Sequence, residues 1–509
     1  MKNLKMTTAK TAVLVAVLTL MSKLIGFLRE VVLANYFGAG MVTDAYNMAQ
    51  SIPNYILAAI VSAVGTAYMP IFAEKHEKEG LDSANKFTSQ LINFELACCC
   101  VLSAVGIVFA KQLVAIFAPG FNAETAALTV FYLRISFIVI FANIFLSTCT
   151  SFLEYKGVFV PQVIIGYVQS ACMIAVTIVS AYTSHYLLIF GVALGYAIRA
   201  ALLFMRSRKA GMRYSADLNF GPVVKATVAM AIPIFIGGSV NQINTMIDRF
   251  LASDLVVGSI SALNYGNLVV GVIGALTVSV IATIIYPKLN LAFAQDDFKR
   301  ISNLSERSIN LSFLITIPFM LGALVYGESV IQILYERGAF DAAATSLTAA
   351  AFICYAPLIV TSNLNTLITK VYFSLHDTKT PVFCGMIAVV INIVLNLVLV
   401  KSMAHAGLAL ATSIAQLINA VMLYVWFSKK YPQIKLLSSA KKFFAICLFS
   451  VVSVGVSYVF WRVVGAHIWM PRMVLLGLAV LVACGIYLVL LQIFKFEELD
   501  LLKQLVKRD

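Results

Sequence analysis

Met473–Leu491 reads MVLLGLAVLVACGIYLVLL, nineteen residues without a single charge. A run of that length and composition matches the roughly 20 residues an α-helix needs to cross a hydrocarbon core. The rest of the chain has the same character: 509 residues, 61% hydrophobic, 12% charged, mean hydropathy +0.93. A soluble domain carries about 25% charged residues. A soluble globular protein, a disordered chain and a secreted disulfide scaffold are therefore excluded. The apolar runs are continuous rather than alternating over about ten residues, which favours helices over a transmembrane barrel. The fold class expected is an all-α polytopic membrane protein of about 14 transmembrane helices. Their approximate limits are 9–35, 43–72, 87–117, 124–154, 160–182, 185–206, 222–252, 258–287, 305–327, 343–373, 381–401, 405–428, 440–464 and 470–494. The first span lacks a small-residue cleavage site and runs on into Arg29-Glu30, so it is expected to be retained.

The net charge of +14 is a matter of topology. Placing alternate loops on opposite sides puts about 26 Lys and Arg residues on one side and about five on the other. Both termini are then expected in the cytoplasm, with the chain crossing the membrane many times. The basic loops attract anionic membrane lipids rather than nucleic acid. Six cations, Lys23, Arg29, Arg134, Arg199, Arg249 and Lys370, fall within or at the ends of spans, as do the acids Glu30, Asp44, Glu95, Glu154 and Asp248. Charges are costly in lipid, so these should face a bundle interior or a watery cavity. The nine cysteines form no CxxC pair and read as small packing residues.

Four landmarks recur at a displacement of roughly 217–220 residues. Gly40 and Gly258 each follow an alanine by six residues, and Pro70 corresponds to Pro287. Ala118-Pro119-Gly120-Phe121 corresponds to Arg337-Gly338-Ala339-Phe340, and Phe152–Pro161 to Phe373–Pro381. Six helices per half is an even number, so both halves enter from the same side: a parallel pseudo-twofold repeat. The expected organisation is an N-terminal six-helix lobe at 1–218, a C-terminal six-helix lobe at 219–432 and a two-helix appendage at 433–509. A central cavity between two such lobes suits alternating access.

An enzyme is disfavoured. The aqueous loops are short, and GxxxxGK[ST] and HExxH are both missing. Energy for transport would come from an ion gradient, the membrane potential or the substrate gradient. Lys23 and Arg29 lie six residues apart, and Gly26 between them would permit a bend toward one cavity. Arg29 either offers a phosphate-type headgroup its bidentate fork or pairs with Glu30 or Asp44 and holds the lobe together.

Gly26-Phe27-Leu28-Arg29-Glu30, Phe37-Gly38-Ala39-Gly40, Thr43-Asp44-Ala45, Ile52-Pro53-Asn54 and Pro70 resemble the opening of the MurJ (MviN) lipid II flippases. This is a family of the multidrug/oligosaccharidyl-lipid/polysaccharide exporter superfamily. The resemblance continues through Asp248-Arg249, Gly258–Tyr265, Tyr335–Phe340, Asp377–Pro381 and His405–Ser413, nearly the whole chain. It implies fourteen helices and, as substrate, undecaprenyl diphosphate carrying the peptidoglycan disaccharide-pentapeptide, moved from the inner to the outer leaflet. A role in cell-wall biogenesis and cell shape would follow, with cell-wall synthesis enzymes as partners; a monomer is enough for the mechanism. The candidate substrate-binding set is Lys23, Arg29, Glu30, Asp44 and Asn54. Arg29 matches a family cation and Lys23 replaces another, but Leu57 and Leu268 stand at two family arginine positions. Some family members hold sodium, and the matching positions here are Asp248, Asn392, Asn396, the carbonyl of Leu408, and Thr412. These are hard oxygen donors, which suit a small cation or simply bond helix to helix. No other cofactor is expected. For the last two spans the resemblance suggests a lipid-tail groove; the residues alone read equally as lipid-facing helices anchored by Trp461 and Trp469. The alternatives are a flippase for another polyprenyl-diphosphate-linked polysaccharide, a cation-coupled drug exporter, a membrane scaffold for cell-wall enzymes, and a membrane glycosyltransferase.

Overall fold

Long apolar runs become long helices because a backbone in lipid must satisfy its own N–H and C=O groups. The computed structural model describes residues 8–216, 218–219, 225, 227, 229, 242–437, 440–468, 470–494 and 496. Side chains within some of the helical stretches, Leu57 among them, and all of Trp469 lie outside that description. The helices are α1 (Thr8–Phe37), α2 (Met41–Glu79), α3 (Leu81–Val108), α4 (Ala110–Phe117), α5 (Ala123–Tyr155), α6 (Val160–Tyr182) and α7 (Leu188–Lys209). They continue with α8 (242–253), α9 (Ser259–Ala294), α10 (Phe298–Tyr335), α11 (Ala342–Tyr355), α12 (Leu358–Ser374), α13 (Lys379–Lys430), α14 (Ala440–His467) and α15 (Arg472–Ile493). Every described element is helix or connection, so the fold is all-α and polytopic. Nine helical stretches among the described residues are long and apolar enough to cross a membrane.

The helices follow the expected spans, with three local differences. The run 87–117 divides into α3 and α4, because Phe109 leaves the helical range at φ −91°, ψ 14°. The run 343–373 breaks between Tyr355 and Leu358, where Pro357 has no N–H to continue the ladder. The expected pair 381–401 and 405–428 forms one continuous helical assignment hinged at Ala404, whose φ of 50° reverses the chain. Most of the expected span 222–252 lies outside the described residues; its end is α8.

The chain groups into two compact units: Met1–Ser261 with Arg337–Asp341, and Ala262–Glu336 with Ala342–Asp509. In the first, Tyr68 and Phe72 of α2 pack with Phe87 and Leu91 of α3 and Phe152 of α5. In the second, Phe313 and Ile317 of α10 pack with Ile368 and Tyr372 of α12, Leu423 and Phe427 of α13, and Tyr487 of α15. The last two helices are fixed to α10 by polar bonds as well as packing. Tyr487 donates to the Leu314 carbonyl at 2.9 Å, Tyr326 and Ser457 bond at 2.8 Å, and Ser457 donates to the Ala479 carbonyl at 2.6 Å. Trp461 packs edge-on against Tyr326, with ring centroids 5.5 Å apart. Phe444, Leu481 and Met473, by contrast, are exposed. One side of α14–α15 is therefore protein-bound and the other is open to lipid.

The recurring turns meet matching partners inside the first unit. Gly120 N donates to Ser253 Oγ at 3.4 Å, and Ala339 N donates to the Asn35 carbonyl at 2.8 Å. Asn35 and Ser253 are displaced by 218 residues, as are Gly120 and Gly338. Gly120 thus packs on the exit of α8, and the Gly338 turn on the exit of α1. At Gly338, φ is +59° and a Cβ would collide with the Asn35 carbonyl, so only glycine fits.

Candidate functional site

The intramembrane charges of the first unit begin on α1. Arg29 donates through Nη2 and Nε to a single oxygen of Glu30, at 2.7 and 3.2 Å, and its Nη1 reaches Met173 Sδ at 3.5 Å. Its side chain keeps 29% exposure while that of Glu30 keeps 9%. The arginine thus neutralises its neighbour, and each of its three guanidinium nitrogens has a partner, two on Glu30 and one on Met173. Lys23, higher on the same helix, is exposed, as is Asn54 on α2. Neither bonds Arg29, so the five candidate substrate residues do not form one hydrogen-bonded cluster.

Asp44 sits at the start of α2 and is buried. Its carboxylate accepts from Gly258 N at 2.6 Å, Ser261 N at 2.8 Å and Ser261 Oγ at 2.6 Å. The first turn of α9 leaves such N–H groups without intrahelical partners, and an anion there also meets the positive end of the helix dipole. Asp44 is therefore a cap placed from 214 residues away. One turn on, Asn47 Nδ2 donates to Ser261 Oγ at 3.4 Å. Arg249 of α8 donates through Nη1 to the Asn47 carbonyl at 2.7 Å and to Ser51 Oγ. The sequence marks Arg249 as an embedded charge, as part of the Asp248-Arg249 motif and as a pairing partner for Asp248. Its partners lie some 200 residues away, and nothing local announces them. Asp248, beside it, is buried in the same unit.

The remaining polar candidates lie in the second unit. The hinge at Ala404 folds α13 back on itself, with Gly407 closing against the Leu399 carbonyl. Residues about ten positions either side of the hinge then meet. Asn396 Nδ2 donates to Asn392 Oδ1 at 2.9 Å, Asn392 Nδ2 reaches Thr412 Oγ1 at 3.3 Å, and Thr412 Oγ1 donates to the Leu408 carbonyl at 3.0 Å. Four of the five expected sodium ligands are thus one cluster, in which Asn392, Asn396 and Leu408 are buried and Thr412 is half-buried; the fifth, Asp248, belongs to the other unit. The donors are all oxygen-bearing and hard, as sodium requires, but in this structure their amides and hydroxyl are turned toward one another. Among the described residues no three His, Cys, Asp or Glu side chains group as metal ligands.

A cavity of about 680 Å³ in the first unit is lined by apolar side chains, including Ile138, Phe141, Val176, Phe190 and Leu194, and by none of the candidate residues. At the loop following α12, Asp377 accepts from Lys430 Nζ at 2.7 Å, Thr380 Oγ1 at 2.8 Å and Thr380 N at 3.2 Å. Burial alone would raise this carboxyl, but these donors together outweigh it and hold it below the usual carboxylate range.

Residues 33–480 match the family model described as lipid II flippase MurJ. A probable lipid II flippase MurJ of Rhizobium tropici is 26% identical over 528 aligned positions, which take in 99% of this chain and 97% of the relative. The lipid II flippase MurJ of Burkholderia cenocepacia is 26% identical over 81% of this chain and 82% of its own length. A solved lipid II flippase MurJ in an inward closed conformation superposes with a TM-score of 0.82 at 24% identity, covering 95% of this chain and 98% of that one. An inward-facing multidrug transporter of the MATE family shares the fold more distantly, with a TM-score of 0.66 at 11% identity. With the family model matched across most of its length, this chain belongs to the lipid II flippase MurJ family, a family of transporters and not of enzymes.

Proposed function

We propose that this chain carries lipid II from the inner to the outer leaflet of the bacterial inner membrane by alternating access. Family membership over residues 33–480 carries the reading. Two features of the chain support it. An arginine, a residue whose fork matches phosphate, lies within the first span and is partly exposed. The Lys and Arg asymmetry of the loops favours both termini in the cytoplasm, where the precursor's headgroup would be met; a tag at either end should be cut by protease only from the cytoplasmic face. Arg29 would draw the diphosphate while the polyprenyl tail stays in lipid, and neutralising the headgroup there would favour closure on the inner side. Leu57 and Leu268, at positions where the family carries arginine, favour a second reading in which another sugar rides on the same polyprenyl diphosphate.

The test is rescue of a bacterium depleted of its own lipid II flippase, using the parent chain, Arg29→Ala, and the pair Arg29→Ala/Glu30→Gln at matched membrane levels. The expected outcome is rescue by the parent alone. If the double variant also rescues, Arg29 serves only to neutralise Glu30 and the substrate role fails. Failure of a well-inserted parent would favour the second reading. The cluster Asn392–Asn396–Leu408–Thr412 is proposed as a sodium-binding element; transport indifferent to sodium and to Asn392→Ala would remove that proposal.

A further inference from the structure

The apolar cavity of the first unit lies among α5, α6 and α7. Ile138 of α5 and Phe190 and Leu194 of α7 line it and stay about half exposed, so it is a groove open at the surface and not a closed chamber. Between these large side chains Ala142 and Ala197 contribute little bulk and leave the space. An apolar groove that nothing enters forfeits contacts along its walls. In a membrane the material at hand to fill it is a hydrocarbon chain.

One charge stands over this groove. Arg134 precedes Ile138 by four residues on α5 and so shares its face. A helical side chain leans toward the N-terminus of its helix, which carries Arg134 away from the groove toward the Ala123 end. It is exposed, and among the described residues it has neither an ion-pair nor a hydrogen-bond partner. Its depth follows from helix geometry. From Arg134 to Tyr155, the last residue of α5, the rise is about 32 Å, close to the thickness of a hydrocarbon core. The guanidinium therefore stands at one boundary of the core, with the groove just beneath it. Phe131 packs edge-on against Tyr186 at 5.1 Å and meets Phe190 at 6.3 Å, so aromatic rings gather at the same level, as they do at a membrane interface. Lys156, Arg206, Arg208 and Lys209 all lie at the opposite ends of these helices. Arg134 is thus set apart from the basic loops, and a cation without an acidic partner at that depth calls for an anion from the lipid side.

We propose that Arg134 and the groove below it form a binding site for a bilayer phospholipid with an anionic headgroup. The guanidinium fork takes the phosphate oxygens. One acyl chain runs from the headgroup down the groove past Ile138 and Ala197, where close van der Waals contact replaces looser packing among lipid tails. The groove opens directly to the bilayer, so a lipid of that leaflet reaches it without passing through the protein. A zwitterionic headgroup fits less well, because its own ammonium offsets the phosphate.

The purified full chain is titrated with phosphatidylglycerol and with phosphatidylcholine of the same acyl chains, and bound lipids are resolved by native mass spectrometry. The parent should prefer phosphatidylglycerol. Arg134→Gln should weaken the tightest phosphatidylglycerol site by about tenfold, the loss of a charge-assisted hydrogen bond, and abolish the preference there. The basic loops are the same in both proteins and give a constant background. Arg134→Lys should keep most of the preference, which separates loss of charge from loss of folding. Ala197→Trp, at an exposed position, fills the groove and should weaken both lipids several-fold without removing the preference. Equal affinity of the parent for the two lipids, or a preference that survives Arg134→Gln, overturns the site; binding indifferent to Ala197→Trp overturns the groove as the seat of the chain. Displacement of phosphatidylglycerol by far less undecaprenyl diphosphate would give the site to a polyprenyl lipid and overturn the phospholipid as its occupant.

Discussion

The Asp44 junction and the polar face of α12 are both hydrophilic islands in an apolar chain, and they are built in opposite ways. At the junction, one carboxylate accepts three hydrogen bonds from Gly258 and Ser261, and Arg249 closes on Asn47 and Ser51. Each group meets another group of the protein. Along α12 a cation and hydroxyls line a cavity, and a clamped amide holds an oxygen that no donor reaches. Polarity in a membrane span therefore has two separable meanings. Where the groups bond one another across helices they hold those helices in place; where they line a cavity they set its polarity.

The largest expected effect comes from removing the cap. Asp44→Ala strips the Gly258 and Ser261 amides of their acceptor in a buried setting, a loss of about 2–6 kcal/mol for the two groups. The purified variant should unfold at clearly lower temperature, and lose transport only in proportion to the folded protein that remains. Asp44→Asn should recover part of the loss, because one oxygen can still accept. A variant of parental thermal stability that no longer transports would break the comparison, by making Asp44 a site residue.

Much of this architecture is legible in the sequence. The spans are, because each is a long apolar run and lipid allows such a run little choice but helix. The turn at 337–340 was visible as a repeat of 118–121. What could not be read was which helix exit each turn would meet, because that contact joins residues hundreds of positions apart. The site was legible only as residue types. Arg29 was seen, with its pairing to Glu30 left open, and the sequence placed Asp44 among substrate residues although its oxygens are taken by α9. The donors it caps, in Gly258-Ser259-Ile260-Ser261, stand out in the sequence only as a motif. The face of α12 was legible in principle from the spacing of Ser362, Thr366, Thr369, Lys370 and Phe373. It was hidden because its uncharged members scarcely lower the hydropathy of the span.

A smaller effect probes the turn that lies on the α1 exit. Gly338→Ala forces a Cβ onto a left-handed backbone and against the Asn35 carbonyl, at a cost of about 1–3 kcal/mol. Gly385→Ala, in α13 with nothing within 4 Å of the added Cβ, should be neutral or gain up to about 1 kcal/mol from helix propensity. Thermal unfolding of the two variants side by side checks the pair. Equal behaviour would mean that the turn yields more readily than its contacts suggest.

The smallest effect lies just beyond α12, where the two kinds of polarity meet. Asp377 is buried and bonded like Asp44, but one of its partners, Lys430, keeps about half of its side-chain exposure. Water screens such a pair, so its contribution is expected to be the smallest of the three. Its sign follows from linkage. The folded carboxyl lies below the ordinary carboxylate range, so it binds protons less readily than in the unfolded chain. Its stabilisation is therefore complete above the ordinary value of about 4 and is lost as pH falls through the lower, folded one. Unfolding temperature should be insensitive to this group at neutral pH, and the parent should lose slightly more stability than Asp377→Asn on acidification below about pH 4. Parallel curves for the two proteins would show that Thr380 and Lys430 do not hold the carboxylate in solution, and that the end of α12 is as open as the face above it.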